Sequence, residues 1–311
     1  MPGIVLHEVG LRDGLQIEKA TIPTAQKIAW IQALDAAGVD MVQVGSFVHQ
    51  QKVPQMADTD DLFRHFADPA HRPARARLTA LVLNEKGLER GFACGVGYFC
   101  MGVSASDTHS RKNTGMSTAE AADRIIAMGR QAQAAGAAVQ VSVQSAFGCG
   151  FEGAIPEARV LELVHRFHQA GLLQISLADT AGHATPDQVG RLFTAVRAID
   201  PAIECACHLH NTYGMGLANA WAALQAGVTY FESAFGGLGG CPFTKITGGN
   251  VCTEDLVHML QRMGHRRDID LAALVDLARG AGTVLGREMT GALVKTGPIP
   301  AFPQAPTPSA V

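Results

Sequence analysis

The amino-acid sequence predicts a (β/α)8 barrel, a closed ring of eight parallel strands with helices around it. Short apolar strands alternate with helical stretches about eight times, and polar residues follow several of the strands. A chain of 311 residues is long enough for one such barrel with further helices. We therefore expect a catalytic barrel domain over residues 1–296, including extra C-terminal helices. The proline-rich tail 297–311 is expected to be extended or disordered.

Eight short apolar segments are the candidate strands. They are Ile4–Val9, Met41–Ser46, Leu78–Leu83, Tyr98–Val103, Val139–Val143, Gln174–Leu177, Glu204–His210 and Thr229–Ser233. Strands that alternate with helices pair in parallel, and eight such units favour a closed barrel. A doubly wound open sheet is the alternative. Such a sheet more often has a GxGxxG turn after its first strand, where this sequence has Arg12-Asp13-Gly14.

The helical stretches carry recognisable start and stop signals. They include Thr24–Ala37, Thr118–Ala135, Pro156–Ala170, Pro186–Ile199, Glu254–Met263 and Leu271 to about Gly286. Capping residues followed by an early acid or proline begin two of them, at Ser117 and Thr185. Glycines typical of C-terminal caps separate helices from the next strand at Gly38, Gly136, Gly171 and Gly227.

Composition and charge argue against several classes of function. Charged residues make up only 17% of the chain and the formal net charge is −3, whereas a nucleic-acid surface needs a basic stripe. No apolar run approaches the roughly 18 residues that span a bilayer, and no leader precedes the first strand. The seven cysteines are irregularly spaced without a CxxC pair. We expect a cytoplasmic protein with reduced thiols and no nucleic-acid or membrane partner.

Residues suited to metal binding and proton transfer gather where the predicted strands end. In a (β/α)8 barrel these ends form one face, which holds the active site. The residues are Arg12 and Asp13 after the first strand, Ser46 after the second, Asp179 and Thr180 after the sixth, His208 and His210 at the end of the seventh, and Cys241 and Asn250 beyond the eighth. We therefore expect them to share one site.

Two histidines and two oxygen donors predict a divalent-cation site. His208 and His210 are separated by one residue on a strand, so both imidazoles face the same side. A single strand histidine is more often a core residue, but the pair favours metal binding. Asp13 and Asn250 can add oxygens. This donor set suits Mg²⁺ or Mn²⁺ better than structural Zn²⁺, which favours thiolates.

Arg12 and Cys241 are the other candidate catalytic residues. Arg12 beside Asp13 could be a surface ion pair, but its place at a strand end favours binding of an enolate or carboxylate oxygen. Cys241 could be a small buried residue, but it follows a glycine-rich run over 236–240. A thiol with a pKa of about 8.5 is mostly protonated at neutral pH. We therefore favour Cys241 as a proton donor over a nucleophile.

In this order, the motifs resemble those of the 3-hydroxy-3-methylglutaryl-CoA lyases of the DRE-TIM metallolyase superfamily. The similarity extends from about Glu8 to Leu260. The stretches that carry it are Arg12-Asp13-Gly14-Leu15-Gln16, Ser46-Phe47-Val48, Val53-Pro54-Gln55-Met56, Lys112-Asn113, Leu177-Ala178-Asp179-Thr180, Gly237-Leu238-Gly239-Gly240-Cys241-Pro242 and Gly249-Asn250. The resemblance implies a TIM barrel that cleaves a 3-hydroxyacyl-CoA to acetyl-CoA and a keto acid such as acetoacetate.

The resemblance also implies roles for individual residues. Asp13, His208, His210 and Asn250 would bind the metal, with Asp13 or His208 as the base. Arg12 would stabilise the enolate of the thioester, and Cys241 would protonate it. Further candidates for substrate binding or for support of the site are Gln16, Gln43, Ser46, Asp179, Thr180 and Glu254. We expect an acyl-CoA substrate and a homo-oligomer.

Some positions depart from the family pattern and leave the acyl group open. Gln43 stands where the lyases usually carry Glu, Asn211 where they more often carry Asp, and 244–247 replaces a stretch of smaller residues. A longer, differently branched or more acidic 3-hydroxyacyl-CoA is therefore an alternative substrate. A Claisen-condensing or aldolase relative is a second alternative, although condensing relatives usually have Gly-Glu-Arg near the position of Cys241. A barrel without catalytic activity is the third.

Overall fold

A computed structural model, which describes residues 3–240 and 249–299, shows a closed barrel of eight parallel strands. The strands are β1 (Val5–Glu8), β2 (Met41–Ser46), β3 (Arg77–Leu81), β4 (Tyr98–Ser104), β5 (Ala138–Gln144), β6 (Gln174–Ala178), β7 (Glu204–His208) and β8 (Tyr230–Ser233). Each strand pairs with the next along the chain, and β8 pairs with β1 to close the ring. The predicted (β/α)8 architecture is confirmed.

Helices follow the strands and surround the barrel. They are α1 (Thr24–Ala37), α2 (Thr59–Ala67), α3 (Glu85–Ala93), α4 (Asp107–Thr114), α5 (Thr118–Ala134), α6 (Glu157–Gln169), α7 (Pro186–Ile199), α8 (Gly216–Gln225), α9 (Thr253–Arg262), α10 (Leu271–Leu285) and α11 (Ala292–Thr296). Among the described residues, none of these helices is both long and apolar enough to cross a membrane. Most of the proline-rich tail, from residue 300 onward, lies outside the described residues.

Two details of the predicted elements are corrected by the structure. The seventh strand ends at His208, and His210 instead forms an isolated bridge with Asn250. The capping box at Ser117 is present, but the Thr185 hydroxyl donates to the Asp187 carboxylate and makes no cap to the backbone. The partner of His210 lies outside the predicted strand, whereas the partner of Thr185 lies in the first turn of its own helix.

The strands separate an apolar outer layer from a polar barrel interior. Leu6, Val42 and Phe99 are buried in the main hydrophobic core. Several side chains that point inward are polar: Gln140 on β5 donates across the barrel to Glu232 on β8, 2.5 Å away. Because side chains alternate along a strand, neighbouring residues serve the two layers in turn. The polar interior forms the floor of the candidate site.

The described cysteines are free thiols. Six of the seven lie within the described ranges and are buried: Cys94, Cys100, Cys149, Cys205, Cys207 and Cys252. Cys241 and the departing stretch 244–247 lie outside those ranges.

Candidate active site

A cavity of about 250 Å³ lies at the C-terminal ends of the strands and brings together most of the predicted site residues. The predicted residues that line it are Arg12, Asp13, Gln16, Gln43, Thr180, His208 and His210, with Gly240 at the start of the segment that leads to Cys241. Residues more than 190 positions apart in sequence thus face one space. The barrel therefore assembles the motifs as their positions after the strands predicted.

A π-helical turn, Gly10–Gly14, presents Arg12 and Asp13 to the cavity. The Val9 carbonyl accepts hydrogen bonds from the backbone N–H groups of Arg12, Asp13 and Gly14, at 3.1, 2.8 and 3.4 Å. Such wide turns are rare and are frequently found at functional sites. Gly14 is required by packing, because a Cβ there would lie 2.5 Å from the Leu238 side chain.

Three of the four predicted metal ligands form a compact donor cluster. His208 Nε2 lies 3.2 Å from His210 Nε2 and 3.8 Å from Asp13 Oδ2. One ligand atom from each of these residues lies within 4.8 Å of the others. A single divalent ion with ligands at about 2.1 Å requires this degree of proximity. The cluster is therefore a possible metal site.

Asn250 completes the cluster with an unused oxygen. Its amide nitrogen donates to Asp13 Oδ2 and to the Leu238 carbonyl, both at 2.8 Å. Its Oδ1 is buried and has no hydrogen-bond partner in the described structure. An unpartnered buried amide oxygen is costly unless something binds it. A hard cation would satisfy this oxygen, so the donor set fits a divalent ion.

Gly239 allows the loop after β8 to approach this cluster. Its φ of +110° lies in the region that favours glycine, and a Cβ would lie 2.3 Å from Asn250 Nδ2. Any other residue here would displace Asn250 or strain the backbone. Gly239 of the glycine-rich run thus allows close packing of the backbone next to the site.

Electrostatics keep two of the predicted ligands in forms that bind cations. Burial alone would raise the pKa of Asp13, but the charge of Arg12 and the hydrogen bond from Asn250 help to hold that pKa well below its usual range. Burial, with His208 nearby, lowers the pKa of His210 to about 3. Asp13 is therefore a carboxylate and His210 a neutral imidazole with a free lone pair.

Gln43 contacts Arg12 despite its lack of charge. Its Oε1 accepts a hydrogen bond from Arg12 Nε, while Arg12 Nη1 lies 2.5 Å from Asp13 Oδ1. Gln43 and Asp13 together therefore hold the guanidinium on two of its edges.

Ser46, Asp179 and Glu254 lie behind the cavity wall and do not line it. The Ser46 N–H donates to the Thr59 hydroxyl at 3.2 Å, and Asp179 Oδ1 accepts from the backbone N–H of His183 at 2.8 Å. Burial raises the pKa of Asp179 to about 6. Glu254 accepts from the Gly236 N–H at 3.0 Å. These residues shape the loops that carry the site.

Glu232 is a site residue that sequence reasoning missed. Its Oε2 lies 2.9 Å from His208 Nδ1. Its Oε1 accepts from Gln140 Nε2 at 2.5 Å and from Ser176 Oγ at 3.0 Å. The available signal was a carboxylate inside an apolar strand, one strand after the two histidines.

His109 was also missed. It lines the cavity from α4, and its Nδ1 lies 3.0 Å from Ser145 Oγ and 3.1 Å from Ser104 Oγ. Ser145 has a φ of 54°, one of two positive values among the described non-glycine residues. The polar sequence of α4 gave no sign that one of its side chains faces the barrel mouth.

Comparison with known proteins gives consistent results. The HMGL-like family model matches residues 4–280. The chain is 36% identical to the hydroxymethylglutaryl-CoA lyase YngG of Bacillus subtilis, over 92% of this chain and 94% of that protein. It is also 36% identical to the (R)-citramalyl-CoA lyase of Chloroflexus aurantiacus, over 98% and 97% of the two chains.

A solved structure shows the same similarity in three dimensions. The HMG-CoA lyase from A. baumannii, in complex with coenzyme A and 3-methylmalate, matches this chain with a TM-score of 0.89 and 36% identity. The match covers 98% of each chain.

Proposed function

Because the chain belongs to the HMGL-like family, we propose that it is a metal-dependent carbon–carbon lyase acting on a 3-hydroxyacyl-CoA. The proposed reaction is retro-Claisen cleavage of 3-hydroxy-3-methylglutaryl-CoA, or a close analogue, to acetyl-CoA and a keto acid such as acetoacetate. The observation that carries the proposal is the convergence of the Asp13, His208 and His210 cluster with Asn250, beside Arg12. The coenzyme A complex of the similar lyase supports an acyl-CoA substrate.

We propose Mg²⁺ or Mn²⁺ as the cofactor, held by Asp13, His208, His210 and Asn250. Bound there, such an ion would make the tertiary hydroxyl of the substrate more acidic and orient it. The carboxylate of Asp13 supplies the negative charge that attracts the ion, and the unpartnered Oδ1 of Asn250 supplies a neutral oxygen. The proposed identity of the ion follows from these hard donors.

The sequence left Asp13 or His208 as the base. Because Glu232 engages Nδ1 of His208 and the cation would take Nε2, we propose that the Asp13 carboxylate accepts the hydroxyl proton. The alkoxide C–O bond then becomes the C=O bond of a ketone while the adjacent C–C bond breaks. Its electron pair passes into the thioester as an enolate. Protonation of the enolate carbon then gives acetyl-CoA and completes the reaction.

Arg12 is proposed to stabilise the enolate oxygen. Asp13 and Gln43 fix the guanidinium through Nη1 and Nε, so its remaining N–H groups are oriented before the reaction. A donor aimed at charge that develops in the transition state contributes roughly 3–4 kcal/mol.

Cys241 is proposed to protonate the enolate carbon. It lies outside the described residues, one position after Gly240, which lines the cavity. We expect Cys241→Ala to lower kcat about 10²–10⁴-fold, the usual contribution of a general acid. Cys94→Ala is the control, since Cys94 contacts Asp60 and not the cavity. Full activity of Cys241→Ala would refute the proton-donor role.

(R)-Citramalyl-CoA is a second candidate substrate. The lyase for it matches a slightly larger share of this chain than YngG does, at the same identity. Its acyl group is one methylene shorter, and the same bond cleavage would give acetyl-CoA and pyruvate.

We also propose a cytoplasmic homo-oligomer, and light scattering of the purified chain measures its size.

The decisive experiment is a panel of 3-hydroxyacyl-CoA thioesters that includes both candidates. Acetyl-CoA release is followed with Mg²⁺, with Mn²⁺ and with excess chelator. We expect cation-dependent release that the chelator abolishes and added metal restores. Release that is unaffected by chelator, or no release from any thioester in the panel, would contradict the proposal.

A further inference from the structure

We propose that Glu232 is a positioning residue of the metal site, which fixes His208 with its Nε2 lone pair directed at the cation position. The inference rests on the proposed function, because it concerns how that site holds its ion. Glu232 lines the floor of the cavity on β8, and 93% of its surface is buried.

The barrel register places Glu232 beside His208. The two residues are direct partners in the β7–β8 pairing, and both side chains point into the barrel. Glu232 Oε2 and His208 Nδ1 are 2.9 Å apart. The contact therefore follows from the way the sheet closes, and it requires no loop to move.

This contact determines which nitrogen of His208 carries the proton. An ionised carboxylate only accepts hydrogen bonds, so Nδ1 must be the donor. In the neutral imidazole that metal binding requires, Nε2 then keeps its lone pair, and it is Nε2 that faces His210 and Asp13 at 3.2 and 3.8 Å. Histidines that bind metals commonly donate their other N–H to a carboxylate, which orients the ring and makes it a stronger ligand.

The other oxygen of Glu232 is held from the opposite side of the barrel. Oε1 accepts from Gln140 Nε2 on β5 at 2.5 Å and from Ser176 Oγ on β6 at 3.0 Å. These two donors prevent the carboxylate from rotating away from His208. Glu232 is therefore fixed at both oxygens.

His210 provides an internal contrast. Its Nδ1 is buried without a hydrogen-bond partner in the described part of the chain, and its backbone is held by the bridge to Asn250. Only one of the two imidazoles thus has a carboxylate behind it. Glu232 and Asp13 are also the acidic residues among those that line the cavity, so Glu232 adds negative charge next to the ion.

The test is Mn²⁺ binding to the full chain, measured by calorimetry without substrate. Glu232→Gln should weaken Mn²⁺ binding about 10–100-fold, the usual effect of losing such a partner. The glutamine amide of this variant must turn its NH₂ group toward either His208 or the donors Gln140 and Ser176. Glu204→Gln is the matched control: it makes the same substitution at the start of β7, the strand that carries His208, and Glu204 does not line the cavity. We expect it to change the Kd less than threefold.

Each outcome has a defined meaning. Equal Mn²⁺ affinity of wild type and Glu232→Gln, or equal weakening by Glu204→Gln, would overturn the positioning role. If Glu232→Gln does not fold, Glu232→Asp replaces it, with an expected loss of at least threefold because the shorter side chain cannot keep both contacts. Failure of the wild type to bind Mn²⁺ would overturn both this inference and the proposed cofactor. Weakened Mn²⁺ binding in a chain that cleaves no thioester would leave this inference standing and reject the substrate class.

Discussion

Arg12 shows how neighbouring residues prepare one side chain for its chemistry. Its side chain is 13% exposed and is held by Asp13 through Nη1 and by Gln43 through Nε. A guanidinium has five N–H donors in a rigid plane, so these two contacts leave others directed at the cavity. A lysine keeps the charge but has no such plane.

We therefore predict that Arg12→Lys lowers kcat about 10²–10³-fold and changes KM only a few-fold, because the lost interaction develops in the transition state. Steady-state kinetics on the preferred thioester measure the effect. Arg124→Lys is the control, since Arg124 pairs with Glu85 away from the cavity. A kcat within threefold of wild type would show that charge alone suffices.

Single residues also show how far the sequence leads. The convergence of Asp13, His208 and Asn250 was predictable because residue types that can bind metals stood near the ends of predicted strands. The place of Glu232 beside His208 was not predictable, because it depends on register with β7 and on donors from β5 and β6. Those relations exist only after the sheet closes. His109 likewise depends on serines at the ends of two other strands.

At the scale of elements, two buried carboxylates hold the loops that carry the site. Glu8 accepts from the backbone N–H of Gly10 at 2.7 Å, from that of Phe235 at 3.1 Å and from the Thr253 hydroxyl at 2.5 Å. It thus joins the π-helical turn, the loop after β8 and α9. Burial raises the pKa of Glu8 to about 7 and that of Glu254 to about 8.

The raised pKa of Glu254 predicts how the free energy of unfolding depends on pH. Its pKa is raised on folding from 4.5 to about 8, so the unfolded chain releases this proton at lower pH than the folded chain does. The free energy of unfolding should therefore fall as pH rises from about 5 to 8. Glu254→Gln removes this group. Between pH 5 and pH 8 the wild type should therefore lose on the order of 3 kcal/mol more of its free energy of unfolding than the variant loses.

Urea unfolding of both chains at pH 5 and pH 8 measures that shift. The comparison cancels the titrating groups that the two chains share and that do not interact with Glu254; Glu8 and Asp255 do interact with it. Parallel stability curves across this range would show that Glu254 keeps an ordinary pKa in the folded chain.

Helix starts give a second prediction at this scale. Ser117 caps α5 in a full capping box with Glu120, whereas Thr185 at the start of α7 makes no side-chain bond to its helix backbone. Ser117→Ala should lower the free energy of unfolding by about 1 kcal/mol, and Thr185→Ala by less than about 0.5 kcal/mol. Chemical denaturation compares them directly. Equal losses would mean that the box does not stabilise α5.

The eight strands and the helices α1, α5, α6, α7, α9 and α10 were predicted from sequence to within a few residues, whereas α2, α3, α4, α8 and α11 were not located. Alternation of apolar strands and capped helices located β2, α1 and α7 at their observed bounds. The π-helical turn Gly10–Gly14 was not predicted, because it depends on Glu8 and on packing of Gly14 against Leu238. Local propensity contains no information about such distant partners.

At the scale of the whole molecule, the site is built from residues of the first and last parts of the barrel sequence. The hydrogen bond between Asn250 and Asp13 joins residues 237 positions apart, and β8 pairs with β1. The donor cluster therefore exists only when the barrel is closed. An ion that binds this cluster binds the folded chain and not the unfolded one, so it must stabilise the fold.

This coupling predicts the effect of adding and removing metal. At a Mn²⁺ concentration 100 times the Kd, the folded chain should gain about 2.7 kcal/mol, which raises the Tm by roughly 5 °C. Excess chelator should reverse the shift. Asp13→Asn keeps the size of the side chain but removes its charge, and its Tm should move by less than about 1 °C at the same Mn²⁺ concentration. A full shift in Asp13→Asn would mean that the stabilising ion binds somewhere other than the barrel mouth.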